Sequence, residues 1–275
     1  GRDWPEVIKF IQTYVLSSLN FDVVSMASPS CLGLPMSYYN RFVFMITVSA
    51  VAIGFPWLVS FARYKLQHKD EEKWARAKKA RLHDSVMLVL LVFTSISAQA
   101  FYHFRCQPVV STDPAGKTVT TSYLMADYSI KCYDAQWNAM LVLVLAVLLL
   151  FSCGLPLANV FFLWKNRDKL ELEEFRHMWG TMYDMYVVGK AYFFESIMMA
   201  FKLALLMALV FFEHGSQFQL SAVLLVAFVQ IAVHAKVMPF KSEFDNNMQF
   251  CGTFLTFVSA FGGLMLGYID VTHEA

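Results

Sequence analysis

Glu195 and Lys202 are two charges inside an apolar run, "AYFFESIMMAFKLALLMALVFF", and their spacing puts them on one helix face, about 10 Å apart along its axis. A charge at that depth in hydrocarbon costs several kcal/mol, so Lys202, near the middle of the run, is expected to face a bundle interior with a partner or a water path. The separation is too long for a tight ion pair unless Lys202 leans back toward Glu195. Two i, i+4 polar pairs, Gln99 with His103 and Gln230 with His234, stand in other apolar runs. Three chemistries are open to this set: interhelical hydrogen bonds worth about 1 kcal/mol each, a permeation or proton path, or a ligand cavity. Soluble-enzyme signatures are missing from the sequence: GxGxxG, a phosphate-binding loop, HExxH, Cys-x-x-Cys and a nucleophile elbow. His68 and His83 lie too far apart on a charged linker to suggest a metal site. The expectation is a protein that is not an enzyme and holds no cofactor or metal.

The elements that must position these residues follow from composition. The 275 residues are 57% apolar and only 16% charged, with a mean hydropathy of +0.49, where a soluble domain would carry about 25% charged residues. The deficit falls in six runs long enough to cross about 30 Å of hydrocarbon as helices: Phe42–Phe61, Ser85–Phe104, Asn138–Trp164, Ala191–Phe212, Phe218–His234 and Met248–Ile269. Barrel strands would alternate apolar and polar over about ten residues, and these runs do not. Asn138–Trp164 is longer than a span needs, and Gly154 with Pro156 predicts a kink in it. The expected fold is all-α, a single domain of six transmembrane helices over residues 38–270, preceded by an outer amphipathic segment over 1–37. In that segment Val7, Ile8, Ile11, Tyr14, Val15 and Leu19 recur at helical spacing behind Asp3 and Pro5. The start without Met suggests a C-terminal fragment of a longer protein.

Orientation follows from Lys and Arg, which stay on the cytoplasmic side. The loops after the first, third and fifth spans hold fifteen of them, and the opposite side holds six. Both termini are therefore expected outside, together with Cys31, Cys106 and Cys132. These three cysteines allow three pairings; Cys106–Cys132 is preferred because it would staple the ends of one outer loop. Cys153 and Cys251, inside spans, read as small core fillers. The inner linker "QHKDEEKWARAKKARLHD" reads as a solvated helix whose basic face meets anionic lipid heads or only water. The fifth and sixth spans are joined by a short inner turn, which departs from a pore built around an outer re-entrant loop, and no span repeats Arg every third residue.

Four stretches, "SSLNFDVVSMASPSCLG", "YLMADYSIKCYD", "YFFESIMMAFKLALLMALVFF" and "MPFKSEFDNNMQF", together resemble the TRP-like C-terminal membrane region of long algal and protist surface proteins, distantly similar to fungal TRP-like proteins. The resemblance covers roughly Val7 to Tyr268. It implies a polytopic domain behind a large extracellular part, with roles in ion transport or sensing; an acid and a base on the fourth span correspond to Glu195 and Lys202, and a Cys-flanked outer loop to Cys106 and Cys132. That loop, Arg105–Gln136, is expected to be an outer lid presenting Tyr123, Tyr128 and Tyr133, with a disulfide that would add about 3 kcal/mol. The expected function is a membrane anchor for a large extracellular assembly or ectodomain in a plasma or ciliary membrane; the alternative is a TRP-like cation channel or transporter subunit. The expected partners are the lipid bilayer, an extracellular region or filament protein and other membrane subunits, with no nucleic acid.

Overall fold

A computed structural model describes residues 36–66, 71–112, 118–213 and 216–273. The amphipathic helix expected before the first span lies outside the described residues, as does Cys31. Among the described residues six helices are long and apolar enough to cross a membrane, and the chain is an integral membrane bundle. In chain order they are α1 (Tyr38–Leu66), α2 (Glu71–Tyr102), a third span built from α3 (Ala135–Ala146), a π-helical segment (Val147–Cys153) and α4 (Gly154–Lys165), then α7 (Phe194–Phe211), α8 (Gln217–Val237) and α9 (Glu243–His273). Two short helices, α5 (Glu173–Trp179) and α6 (Val188–Ala191), lie between the third and fourth spans.

Between 17% and 44% of each apolar stretch is buried, with α7 at the top of that range, so α7 is the central helix and the rest turn much of their surface outward. Val51, Phe55 and Leu58 of α1, Leu149, Leu150 and Leu157 of the third span, and Leu225 and Phe228 of α8 are exposed. In a bundle these side chains meet lipid, where apolar surface carries no hydration penalty. Cys153 and Cys251 are exposed too, a correction to their reading as core fillers: lipid and core are both apolar, so hydropathy alone does not tell the two faces apart. Inside, Phe93 and Phe101 of α2 pack against Met199, Leu203, Leu206 and Val210 of α7.

From Glu71 onward the charged linker is helical and runs unbroken into the second span as α2, whose 32 residues extend roughly 48 Å at 1.5 Å per residue. Trp57 of α1 donates to Ser85 Oγ of α2 at 2.8 Å, and Trp74 packs on Tyr64 at 5.0 Å, which fixes the hairpin of the first two spans.

The third span leaves α geometry over Val147–Cys153, directly before the Gly154 and Pro156 at which the sequence predicts a kink. The π segment precedes Gly154 and Pro156, and the nearest neighbour of a methyl placed on Gly154 would be the Leu149 carbonyl oxygen at 3.1 Å. Glycine fits there because nothing projects into the carbonyl displaced by the wider turn.

The loop between the second and third spans is a three-stranded antiparallel sheet, order β1-β2-β3, made of β1 (Cys106–Thr112), β2 (Thr118–Leu124) and β3 (Asp127–Lys131). The lid was expected; its strands were not. Val109, Val110, Val119, Thr120 and Thr121 are β-branched, which suits a pleated ribbon, and Pro108 sits on edge strand β1, where a missing N–H is tolerated. Leu124 and Ile130 turn inward onto Tyr38, Tyr39 and Trp137. Cys106 and Cys132 form the disulfide, with 6.3 Å between their Cα atoms.

Candidate functional site: a clamped junction and a buried polar seam

The first polar cluster joins the sheet to three spans. The α1 helix begins at Tyr38, whose N–H donates to Asp127 Oδ2 at 2.9 Å and whose hydroxyl donates to the Gln99 carbonyl of α2. Gln99 therefore takes part through its backbone. Asp127 also accepts from the Ser129 hydroxyl at 2.6 Å and from the Ser129 N–H at 3.1 Å. Partial burial opposes its charge, but these bonds, the Tyr38 N–H and nearby Arg41 outweigh it, holding the carboxyl below its usual range. At the far side of the junction Asp134 caps α3, accepting from the Trp137 N–H at 2.7 Å.

His103 lies one residue past the end of α2 and is fully buried. Its ring stacks on Trp137 at 4.5 Å, and the Trp137 indole donates to the His103 carbonyl at 3.1 Å. Neither ring nitrogen has a hydrogen-bond partner, nor does the buried Tyr39 hydroxyl, whose ring centroid is 5.8 Å from the imidazole. Burial pushes the His103 pKa down to about 4. The folded value lies below the ordinary 6.5, so the unfolded chain takes up the proton first as pH falls. Stability is whole above pH 6.5 and is lost progressively toward pH 4. Between pH 7 and pH 5 the loss is expected to be about 2 kcal/mol. His103→Phe, which keeps a stacked ring, should remove that slope in detergent melts; an unchanged slope would assign it to other groups. Asp127 acts only below the ordinary carboxylate range, outside this window.

Deeper in the bundle, polar side chains occur in pairs. Ser97 of α2 meets Ser152 of the π segment at 2.8 Å, and Asn159 of α4 donates to Ser196 Oγ of α7 at 2.9 Å. All four are buried, and each pair ties two different spans, which is how polar groups hold helices together in lipid. The sequence offered no spacing signal for these pairs, because their members lie on different helices.

The second cluster sits at the opposite, basic end. Glu195 does not approach Lys202; it accepts from the Tyr186 hydroxyl at 2.6 Å. Tyr186 is buried, and burial followed by the adjacent Glu195 carboxylate pushes its phenol well above its ordinary value. Lys202 is half-buried, with no carboxylate within ion-pair distance among the described residues. Gln230 Nε2 lies 3.9 Å from Met198 Sδ, and His234 Nε2 lies 3.0 Å from the Asn246 carbonyl.

Asn246 organises the turn between α8 and α9. Its side-chain oxygen accepts from the Phe240 N–H at 3.2 Å, and its amide donates to the Phe240 carbonyl at 2.9 Å and the Ser242 carbonyl at 3.2 Å. The turn is then stitched to the segment before α6: Val187 N–H donates to the Pro239 carbonyl at 2.9 Å, Lys241 N–H to the Met185 carbonyl at 3.0 Å, and the Lys241 ammonium to Asp184 at 2.9 Å. Tyr186, Phe240, Phe194 and His234 pack ring to ring between these strands of chain.

Of the residues singled out from sequence, the structure brings His103 and the Gln99 backbone into one junction, and Glu195, Gln230 and His234 into the basic-end cluster; Lys202 joins neither. Tyr38, Asp127, Tyr186 and Asn246 were missed. They sit in segments without apolar periodicity, and the stretches "YLMADYSIKCYD" and "MPFKSEFDNNMQF" had marked Asp127 and Asn246 only as parts of a motif. The arrangement clamps helices at both ends and leaves His103 buried and Lys202 half-buried without an ion partner among the described residues. Compared with known protein families, curated proteins and solved structures, the chain matches none.

Proposed function

We propose that this membrane bundle is an anchor for an extracellular assembly or ectodomain carried at its strand-bearing end. The observation that supports it is the clamp at Tyr38, where the chain enters α1. Tension carried by residues 1–35 reaches α1 at a residue bonded to both β3 and α2, and the disulfide closes the sheet across the strand ends. Force entering at one point is thereby shared among three spans. The charge asymmetry puts the basic end in the cytoplasm and the strand-bearing end outside, and exposed Tyr128 and Tyr133 offer the partner an aromatic surface. The four motifs with TRP-like resemblance favour the same placement.

A second reading, a transport subunit, is favoured by Lys202, a charge at membrane depth without an ion partner among the described residues. Reconstitution separates the two. In proteoliposomes, wild type and Lys202→Met are expected to show no ion flux above empty liposomes, and pulling from the N-terminus should unfold Asp127→Asn at lower force than wild type. Flux that Lys202→Met abolishes would replace the anchor with a channel or carrier.

A further inference from the structure

A cavity of about 390 Å³ opens at the basic end, where α2, α5 and the turn at Gly180–Met182 meet. Three of its lining side chains, His83, Arg176 and His177, are nitrogen donors. Thr181 lines it too, and its buried hydroxyl has no hydrogen-bond partner. Asp184 is the carboxylate on the wall, and Lys241 engages it at 2.9 Å. Neighbouring carboxylates are matched as well: Glu174 by Lys79 at 3.3 Å, and Asp84 by Arg81 at 3.2 Å. Arg176 has no such partner among the described residues. The cavity is therefore an electropositive recess with hydrogen-bond donors, large enough for a small ligand group.

Its height in the bundle narrows the ligand. The α4 helix ends at Lys165, and Trp179, adjoining the Gly180 turn, packs on Phe162 at 4.5 Å. Indoles settle at the level of lipid headgroups, and exposed Met185 on the rim is suited to an acyl chain. A guanidinium is matched to phosphate oxygens in charge and geometry.

We infer that this cavity binds a phosphate group, with Arg176 as the ion partner and His83, His177 and Thr181 as hydrogen-bond donors. The group can come from the head of an anionic phospholipid or from free phosphate. In either case the ligand ties α2 to the α5 segment.

The test uses the full chain in nanodiscs of phosphatidylcholine doped with phosphatidic acid, with bound lipid counted by native mass spectrometry. Wild type should retain phosphatidic acid in preference to phosphatidylcholine, and Arg176→Gln should weaken that retention about tenfold. Gly180→Ala provides a second arm without a charge change. A methyl there would lie 3.4 Å from Asp184 Cβ and 3.5 Å from Arg176 Cγ, in ordinary contact, so it should fold normally while crowding the recess and lowering retention. Inorganic phosphate that raises the melting temperature of wild type but not of Arg176→Gln, without lipid preference, would identify free phosphate as the ligand and uphold the site. Equal retention of both lipids by wild type with no effect of inorganic phosphate, or retention unchanged in Arg176→Gln, would overturn it.

Discussion

Replacing Asn246 with Ala is expected to lower the melting temperature of the detergent-solubilised chain by roughly 6–10 °C, the effect of about 3 kcal/mol in a protein of this size. The side chain is buried and bonds both backbone groups of Phe240 and the Ser242 carbonyl. Truncation removes three hydrogen bonds and strands polar groups in an apolar setting, which costs more than the bonds themselves contribute. Asn246→Asp sharpens the test, because it keeps the shape and one acceptor but loses both donors and places a carboxylate against two carbonyls. It should melt no higher than the Ala variant. Hydrogen exchange should then accelerate at the Val187 and Lys241 amides, which depend on the turn staying closed. An Asp variant that melts like wild type would show that the ring cluster closes the turn without Asn246.

Loss of the disulfide is expected to cost a similar amount. Cys106 and Cys132 are 26 residues apart, and closing a loop of that length stabilises the folded chain by about 3 kcal/mol in the chain-entropy account. The sheet it closes has only three strands, of seven, seven and five residues, and depends on a packed apolar face for its stability. Without the bridge, β1 is held by its ladder to β2, and by the Met125 N–H to Arg105 carbonyl bond at 2.8 Å at its base. The Cys106→Ser, Cys132→Ser double variant should unfold roughly 6–10 °C lower, and reductant should bring wild type to the same value. A loss below about 1 kcal/mol would mean that packing of Leu124 and Ile130 on Tyr38 and Trp137 suffices to seat the sheet.

The six spans were legible because a bilayer imposes a length and a composition on any helix that crosses it, and both can be read without knowing neighbours. Boundaries were less so: His103 was read inside the second span and lies past its end. The disulfide was legible as a preference, since the loop that carries two cysteines also brings its own ends together. The sheet was not, because short strands in a loop leave a weak periodic signal beside twenty-residue apolar runs. For the site, the spacing of Glu195 and Lys202 was read as too long for a tight ion pair, and the partner that Glu195 does have, the Tyr186 hydroxyl, was not anticipated. Tyr186 lies outside every span, and a phenol at a helix entrance leaves no mark in hydropathy. Lys202 was expected to have a partner or a water path, and no carboxylate lies within ion-pair distance of it among the described residues.

The π-helical segment in the third span changes how that span should be compared with others. A wide turn accommodates one extra residue, and each residue in an α-helix advances the phase by about 100°. The faces of α3 and α4 are therefore out of step, and a heptad or i, i+4 pattern traced from Trp137 does not continue to Asn159. Deleting a single residue between Val147 and Cys153 would leave two sound helices but swing Asn159 away from Ser196 and Leu163 out of its buried place. Related chains, if they differ in length at this point, differ in which side of the span faces lipid, and a gap placed anywhere else in an alignment would pair inward residues with outward ones.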